Sequence, residues 1–180
     1  MTRTTRRFAG LLAIAWGCAC APAWGEATTN IPPRLQAPAG QNRVLTLRAQ
    51  GVQIYVCGPD KSEPPQWHWN FKAPEAELVD AQGKKFGTHY AGPTWEAADG
   101  SRVVGEVVAR DDGPDPGAIP WLLLTSKMRS GKGAMQNVQS IQRVLTIGGR
   151  PPPTGCAREN EGETARSPYS ATYHFYSSTP

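Results

Sequence analysis

Beyond about residue 40, short apolar stretches alternate with clusters of Gly, Pro, Asp and Asn. This arrangement is typical of β-strands joined by turns. It predicts ten strands, at 43–49, 52–57, 66–71, 76–80, 84–90, 94–97, 102–110, 119–127, 138–147 and 170–177. The 17 prolines and 19 glycines discourage long helices, so we expect at most one short helical turn, around residues 133–137.

Several of these strands carry different residues on their two faces. In "SATYHFYS", Tyr173 and Phe175 lie on one face, and His174 and Tyr176 lie on the other. One face on a core and one towards water is the usual arrangement of an antiparallel sheet. The sequence therefore predicts an all-β, single-domain antiparallel β-sandwich or closed β-barrel with long Pro/Gly-rich loops.

Two of the predicted loops stand out by composition. The first, "RDDGPDPGAIP" (110–120), is acidic and rich in proline. The second covers residues 148–168 and has no apolar periodicity. Loops of this length are uncommon in compact domains and often carry function.

The N-terminal residues have the features of an export signal. Three arginines and no acidic residue precede an apolar run from Phe8 to Ala21, and Ala23-Trp24-Gly25 resembles a cleavage site. The run is too short for a transmembrane segment. We therefore predict a signal peptide (1–25), an N-terminal extension (26–37) and one β domain (38–177), located in the periplasm or secreted. Lipidation at Cys18 or Cys20 is the less favoured alternative, because the bulky Trp16 suits a lipoprotein cleavage site poorly.

Removing the signal changes both the charge and the cysteine count. It takes away three of the 19 basic residues and none of the 15 acidic ones, which leaves 16 against 15. No basic stripe remains, so we predict no nucleic-acid partner. Two cysteines are left, Cys57 and Cys156. In an oxidising compartment they are expected to form one disulfide, with two free thiols as the alternative.

The stretch "GTHYAGPTWEAADGS" (87–101) is the densest group of reactive residue types. As structure, it predicts a hairpin in which Trp95 packs over the space left by Gly105. Glu96 then lies on the opposite face, near Arg102 or Arg110. This interpretation leaves His89 without an obvious structural role.

His89 is also a candidate metal ligand or proton carrier. A metal site would need further ligands such as His68, His174 or Glu96, but the three histidines lie on separate segments without a recognised spacing. Alternatives from carboxylates are a calcium site at Asp111, Asp112 and Asp115, and a glycosidase pair drawn from Glu96, Asp99 and Glu106. Neither has a matching motif, and no nucleotide fingerprint occurs. We therefore predict no metal and no cofactor.

The segments "GVQIYVC", "APEAELVDAQGKKFGTHYAGPTWEAADGSRVVGEVVARDDGPDPGAIPWLLL" and "SIQRVLTIGG" resemble a family of exported bacterial and fungal proteins catalogued as domain of unknown function 3455. The resemblance runs from about Pro38 to Tyr176. It implies that Cys57 and Cys156 correspond to two separated cysteines of the family pattern and that His89 corresponds to its histidine. His68 and His174 have no counterpart in that pattern. It implies export and the extent of the domain, and it brings no established activity.

These observations favour binding over catalysis. We expect a non-enzymatic binding domain for a small molecule, a glycan or an envelope partner. The candidate binding residues come from the 88–96 region and the acidic loop: His89, Tyr90, Trp95, Glu96, Asp111, Asp112 and Asp115. One alternative is a hydrolase or metal-dependent enzyme that uses His89 with Glu96 or Asp99. The other is an envelope structural protein.

Overall fold

The computed structural model describes residues 30–178, in which eight antiparallel strands form a closed barrel. The strands are β1 (Gln41–Pro59), β2 (Trp67–Val79), β3 (Lys85–Tyr90), β4 (Thr94–Ala97), β5 (Arg102–Asp111), β6 (Trp121–Ser130), β7 (Ser140–Gly148) and β8 (Thr164–Ser178). Each strand pairs with the next along the chain, and β8 pairs with β1. The predicted all-β antiparallel fold is confirmed. Of the two predicted architectures, a sandwich or a closed barrel, the structure has the closed barrel. The predicted signal peptide, with Cys18 and Cys20, lies outside the described residues.

The prediction of ten strands was wrong because two apparent breaks lie inside long strands. The first break is at Gly51, where β1 passes so close to β2 that an added Cβ would lie 2.1 Å from the carbonyl oxygen of Glu75. The second is at Pro74, in the part of β2 that pairs with β1 but not with β3. A proline is tolerated there because its missing N–H faces no second strand. The last strand also begins earlier than predicted, at Thr164.

One end of the barrel is closed by its own chain. Leu47, Leu78, Ile141 and other fully buried apolar side chains fill the interior. The connection between β6 and β7 folds over this end and places Met135 in the same core. The predicted helical turn near residues 133–137 is a non-helical turn within this connection.

The opposite end, which we call the open end, collects the connections that follow the odd-numbered strands. In an up-and-down barrel these connections all lie at one end, and here they cover residues 60–66, 91–93, 112–120 and 149–163. The two loops that stand out in the sequence therefore lie at the same end as residues 91–93, the tight turn between β3 and β4 in "GTHYAGPTWEAADGS".

A second, smaller core covers the outside of β6 and β7. A short 3-10 helix, Pro33–Leu35, places Leu35 against Trp121, Leu123 and Val144. The buried Gln142 donates a hydrogen bond from Nε2 to the carbonyl oxygen of Leu35. Among residues 30–178, no helix has the length and apolar character that a membrane span requires.

The predicted disulfide between Cys57 and Cys156 is confirmed, with the two Cα atoms 5.4 Å apart. It joins β1 to the middle of the connection between β7 and β8. Two hydrogen bonds support the same junction. Trp69 donates from Nε1 to the carbonyl oxygen of Thr154 (3.0 Å), and the amide of Gly162 donates to the carbonyl oxygen of Cys57 (3.0 Å). The long connection is therefore fixed to the barrel wall near the open end.

Candidate functional site

A cavity of about 640 Å³ enters the barrel from the open end. A volume of this size is typical of sites for small organic molecules, and an eight-stranded barrel is just wide enough to hold one. Much of its wall is apolar: Phe71, Pro74, Pro93, Val107, Ile119, Pro120, Leu122, Leu124 and Pro151. Phe71 and Val107 are 57% and 50% exposed, so they lie where the cavity meets solvent.

An aromatic cluster of His89, Trp95 and Tyr173 forms the inner end of the cavity. The His89 and Trp95 rings stack with centroids 4.4 Å apart, and Tyr173 meets both rings edge-on. The register places His89 directly opposite Trp95 on adjacent strands. Gly105 on β5 leaves room for the indole, since an added Cβ would lie 3.0 Å from Cζ3 of Trp95. The packing predicted between Trp95 and Gly105 is therefore present.

His89 is neutral in this environment. It is 2% exposed, and burial lowers its pKa to about 3, with a further lowering by the positive charge of Arg143. Its Nδ1 lies 2.8 Å from the carbonyl oxygen of Thr94. Since a carbonyl only accepts, Nδ1 carries the proton and Nε2 is an acceptor. A histidine with this pKa is a poor general base at neutral pH.

We expect the barrel to lose stability in acid because of His89. The unfolded chain binds a proton near pH 6.5, whereas the folded chain does so only near pH 3. Between these values the unfolded state holds more protons, so the free energy of unfolding falls as the pH falls. The part of the loss that His89 contributes between pH 7 and pH 4.5 should be about 2–3 kcal/mol, measured by urea unfolding at each pH.

His89→Gln should remove about half of the pH dependence between pH 7 and pH 4.5. His174, whose pKa burial lowers to about 4, contributes a similar amount in the same direction and accounts for the other half. His68 lies exposed on β2, so His68→Gln is the matched control and should retain the wild-type slope. An unchanged slope in His89→Gln would contradict the assignment of acid sensitivity to His89.

Four cationic side chains also line the cavity, and no carboxylate from residues 30–178 does. They are Lys72, Arg110, Arg143 and Arg150. Main-chain carbonyls hold two of them in place. Arg143 donates from Nε to Pro120 (3.0 Å), and Arg150 donates from Nε to Ala118 (2.9 Å). Within residues 30–178, Arg110 forms an exposed ion pair with Asp112, and the other three cations form none.

Several buried polar atoms beside these cations have no hydrogen-bond partner among the described residues. Within the cavity lining they are Gln53 Nε2, Trp95 Nε1 and the Tyr173 hydroxyl. The Tyr169 hydroxyl lies near Tyr173 and Gln53, and the Tyr173 hydroxyl also lies near Arg143. These side chains are close enough to interact, but none of the contacts has the geometry of a hydrogen bond. An unpaired buried polar group costs about 1–3 kcal/mol, so a cluster of them marks a place where a partner is missing.

The structure brings two of the seven predicted binding residues, His89 and Trp95, into the cavity lining. Tyr90 and Glu96 lie on the outer face of the barrel, because neighbours along a strand point to opposite faces. There the Tyr90 hydroxyl donates to Glu96, and this bond raises the pKa of Tyr90. Glu96 also lies 4.0 Å from Arg102, on the face and beside the partner that the sequence predicts.

The three predicted aspartates lie at the open end, outside the cavity lining: Asp111 is the last residue of β5, and Asp112 and Asp115 follow in the connection to β6. Asp111 accepts hydrogen bonds from Arg34 and from the amide of Gly113, and these bonds lower its pKa. Asp115 accepts from the amide of Gly117 (2.8 Å), as in a turn. Asp112 is exposed. The three carboxylates thus serve different local contacts.

The residues of the enzyme alternative are also separated. Asp99 accepts hydrogen bonds from Ser101 and from the amide of Ala134, which fixes a turn at the closed end. Glu96 points outward, whereas His89 points inward. The three histidines lie apart, and no cluster of three or more His, Cys, Asp or Glu in the described chain is arranged to hold a metal ion.

The polar residues of the cavity that sequence reasoning missed come from distant segments. Gln53 lies on β1, Lys72 on β2, Arg110 on β5 and Arg143 on β7. For one of them, Arg143, the strand pattern already indicated an inward position. In "SIQRV", Arg143 stands two residues after the apolar Ile141 and therefore on the same face, so a charge at an inward position could have been recognised.

Of the comparisons with known proteins, the one with protein families gives a match. No curated protein and no solved structure matches the chain. Residues 38–177 match the family described as "Protein of unknown function (DUF3455)". These residues include the whole barrel apart from Ser178, both cysteines of the disulfide and every residue of the cavity lining. The chain therefore belongs to the DUF3455 family.

Proposed function

We propose that this protein binds a small molecule in the cavity at the open end of its barrel, without chemical conversion. The observation that carries the proposal is the coincidence of the 640 Å³ cavity with buried polar atoms that have no partner. A filled barrel would be more stable with apolar side chains at these positions, so their presence favours a bound partner. The N-terminal charge pattern and the disulfide support a role in the periplasm or outside the cell.

Among the expected ligand classes, a small molecule has more support than a glycan or an envelope protein. The aromatic rings that could contact a sugar, Trp95 and Tyr173, are 1% exposed and lie deep in the barrel. A bulky polymer cannot reach them without opening the sheet. The enzyme alternative has less support, because His89 is held neutral and lies away from Glu96 and Asp99.

Native mass spectrometry of the protein purified from its own export compartment tests this proposal. We expect an adduct in the native spectrum that disappears on denaturation, together with a ligand-dependent rise in melting temperature. The matched variant is Leu124→Trp, which fills the cavity from its wall, and Thr125→Trp adds the same side chain at a neighbouring exposed position. An adduct that persists in a folded Leu124→Trp protein would contradict binding in the cavity.

A further inference from the structure

We propose that the ligand is a small organic anion, with a carboxylate held at Arg143 and an apolar body directed towards the mouth of the cavity. This inference rests on the proposed function and adds the chemical class of the ligand. Three independent features of the lining carry it: the sign of its charges, the kind of its unpaired atoms and the position of its apolar surface.

The charges of the lining have a single sign. Lys72, Arg110, Arg143 and Arg150 approach one space in a chain whose predicted mature form is close to neutral. Like charges around a cleft with low-dielectric walls repel one another and concentrate anions. A ligand carboxylate would relieve that repulsion, whereas a cationic ligand would increase it.

Arg143 is the cation best placed to hold the anion. Its charge affects the pKa values of Tyr55, His89, Tyr169 and Tyr173, so it lies close to the polar groups of the inner cavity. The bond from its Nε to Pro120 fixes the side chain, which also lies close enough to the Tyr173 hydroxyl to interact with it. A half-buried guanidinium without a counter-ion is unfavourable, and a carboxylate suits its planar, two-pronged geometry.

The unpaired atoms at the inner end are hydrogen-bond donors. Trp95 Nε1 and Gln53 Nε2 can only donate, and the Tyr173 hydroxyl can donate as well as accept. Donors without partners favour a ligand with several hydrogen-bond acceptors. An ionised carboxylate provides two acceptor oxygens and no donor. A hydrogen bond to a charged acceptor is about twice as strong as one between neutral groups.

The apolar surface is arranged for the other part of the ligand. Phe71 and Val107 are exposed at the mouth, with Leu122 further along the wall. A simple inorganic anion would leave these side chains in contact with water. An apolar or aromatic body attached to the carboxylate would cover them, which adds affinity in proportion to the area removed from water.

The test compares two probes of the same shape, 2-naphthoate and its neutral amide, 2-naphthamide, by isothermal titration calorimetry. We expect the acid to bind at least about tenfold more tightly than the amide. Arg143→Met keeps much of the side-chain volume and removes the charge, and it should weaken acid binding by about 10- to 100-fold. Arg48→Met removes the same charge from the outer surface of β1 and should leave acid binding unchanged.

The outcomes separate this inference from the proposed function. Equal binding of acid and amide, or acid binding that is insensitive to Arg143→Met, would overturn the anionic ligand and leave cavity binding standing. Binding of neither probe up to millimolar concentration would also overturn it, while the native spectrum reports on cavity binding independently. If circular dichroism shows that Arg143→Met does not fold, Tyr173→Phe takes its place. It removes one donor with little change in volume, and acid binding about 3- to 10-fold weaker would support the inference, whereas unchanged binding would overturn it.

Discussion

Replacing both Cys57 and Cys156 by alanine is expected to lower the free energy of unfolding by about 4–5 kcal/mol. The bond closes a loop between residues 99 positions apart, and it restricts the unfolded chain far more than the folded one. Alanine is the better replacement because Cys57 is 2% exposed and a serine hydroxyl would be buried there. Guanidinium unfolding followed by circular dichroism measures the difference.

The double variant also has a built-in control. A reducing agent should destabilise the wild-type protein by a similar amount and have no effect on the variant without cysteines. A loss below about 1 kcal/mol would contradict the entropic argument. It would mean that residual structure already restricts the same loop in the unfolded chain.

The disulfide connects stability to the cavity as well. Arg150 and Pro151 line the cavity only a few residues before Cys156, in the connection that the bond fixes to β1. Arg150 is further held by its hydrogen bond to Ala118. A folded double variant should therefore keep the inner site around Arg143 and lose order at the mouth.

The sequence predicted the fold class because alternation is a local property. The faces of "SATYHFYS" and the hairpin around Trp95 and Gly105 follow from residues near one another in the chain. Closure of the barrel does not, because it depends on β1 pairing with β8 over more than a hundred residues. Gly51 and Pro74 were misread for the same reason, since what permits them is the position of a neighbouring strand.

The candidate site was predicted only in part, for a similar reason. His89 and Trp95 are close in sequence and were recognised together. Lys72, Arg110 and Arg143 come from three strands, and only the closed barrel brings them around one space. The nearly neutral charge predicted for the mature chain gave no warning of a local excess of positive charge. The acidic loop attracted attention by composition, although its carboxylates contact turn amides and two arginines, Arg34 and Arg110.

The inner end of the cavity is where stability and binding conflict. Gln53, Trp95 and Tyr173 place polar atoms in a core that would be more stable without them. A sequence selected only for folding would carry apolar residues there. This conflict can be measured at Trp95, because a tryptophan can be shortened while its aromatic character is kept.

Trp95→Ala is expected to lower the free energy of unfolding by about 3–5 kcal/mol, measured by urea unfolding with circular dichroism. The indole is 1% exposed and packs on His89, Tyr173 and Phe175. Its removal would leave a void in the middle of the barrel. Trp67, which is only half-buried at the end of the β1–β2 ladder, provides the control. Trp67→Ala should lose markedly less.

Trp95→Phe separates packing from hydrogen bonding. The phenyl ring keeps part of the stacking on His89 and eliminates a buried N–H that has no partner, a group that costs about 1–3 kcal/mol. We therefore expect a loss of only about 1–2 kcal/mol, well below that of Trp95→Ala. The same variant should bind 2-naphthoate more weakly, because the indole N–H is then no longer available to the carboxylate. A loss of stability equal to that of Trp95→Ala would show that the N–H is satisfied in the free protein, which would contradict its role as a donor kept for the ligand.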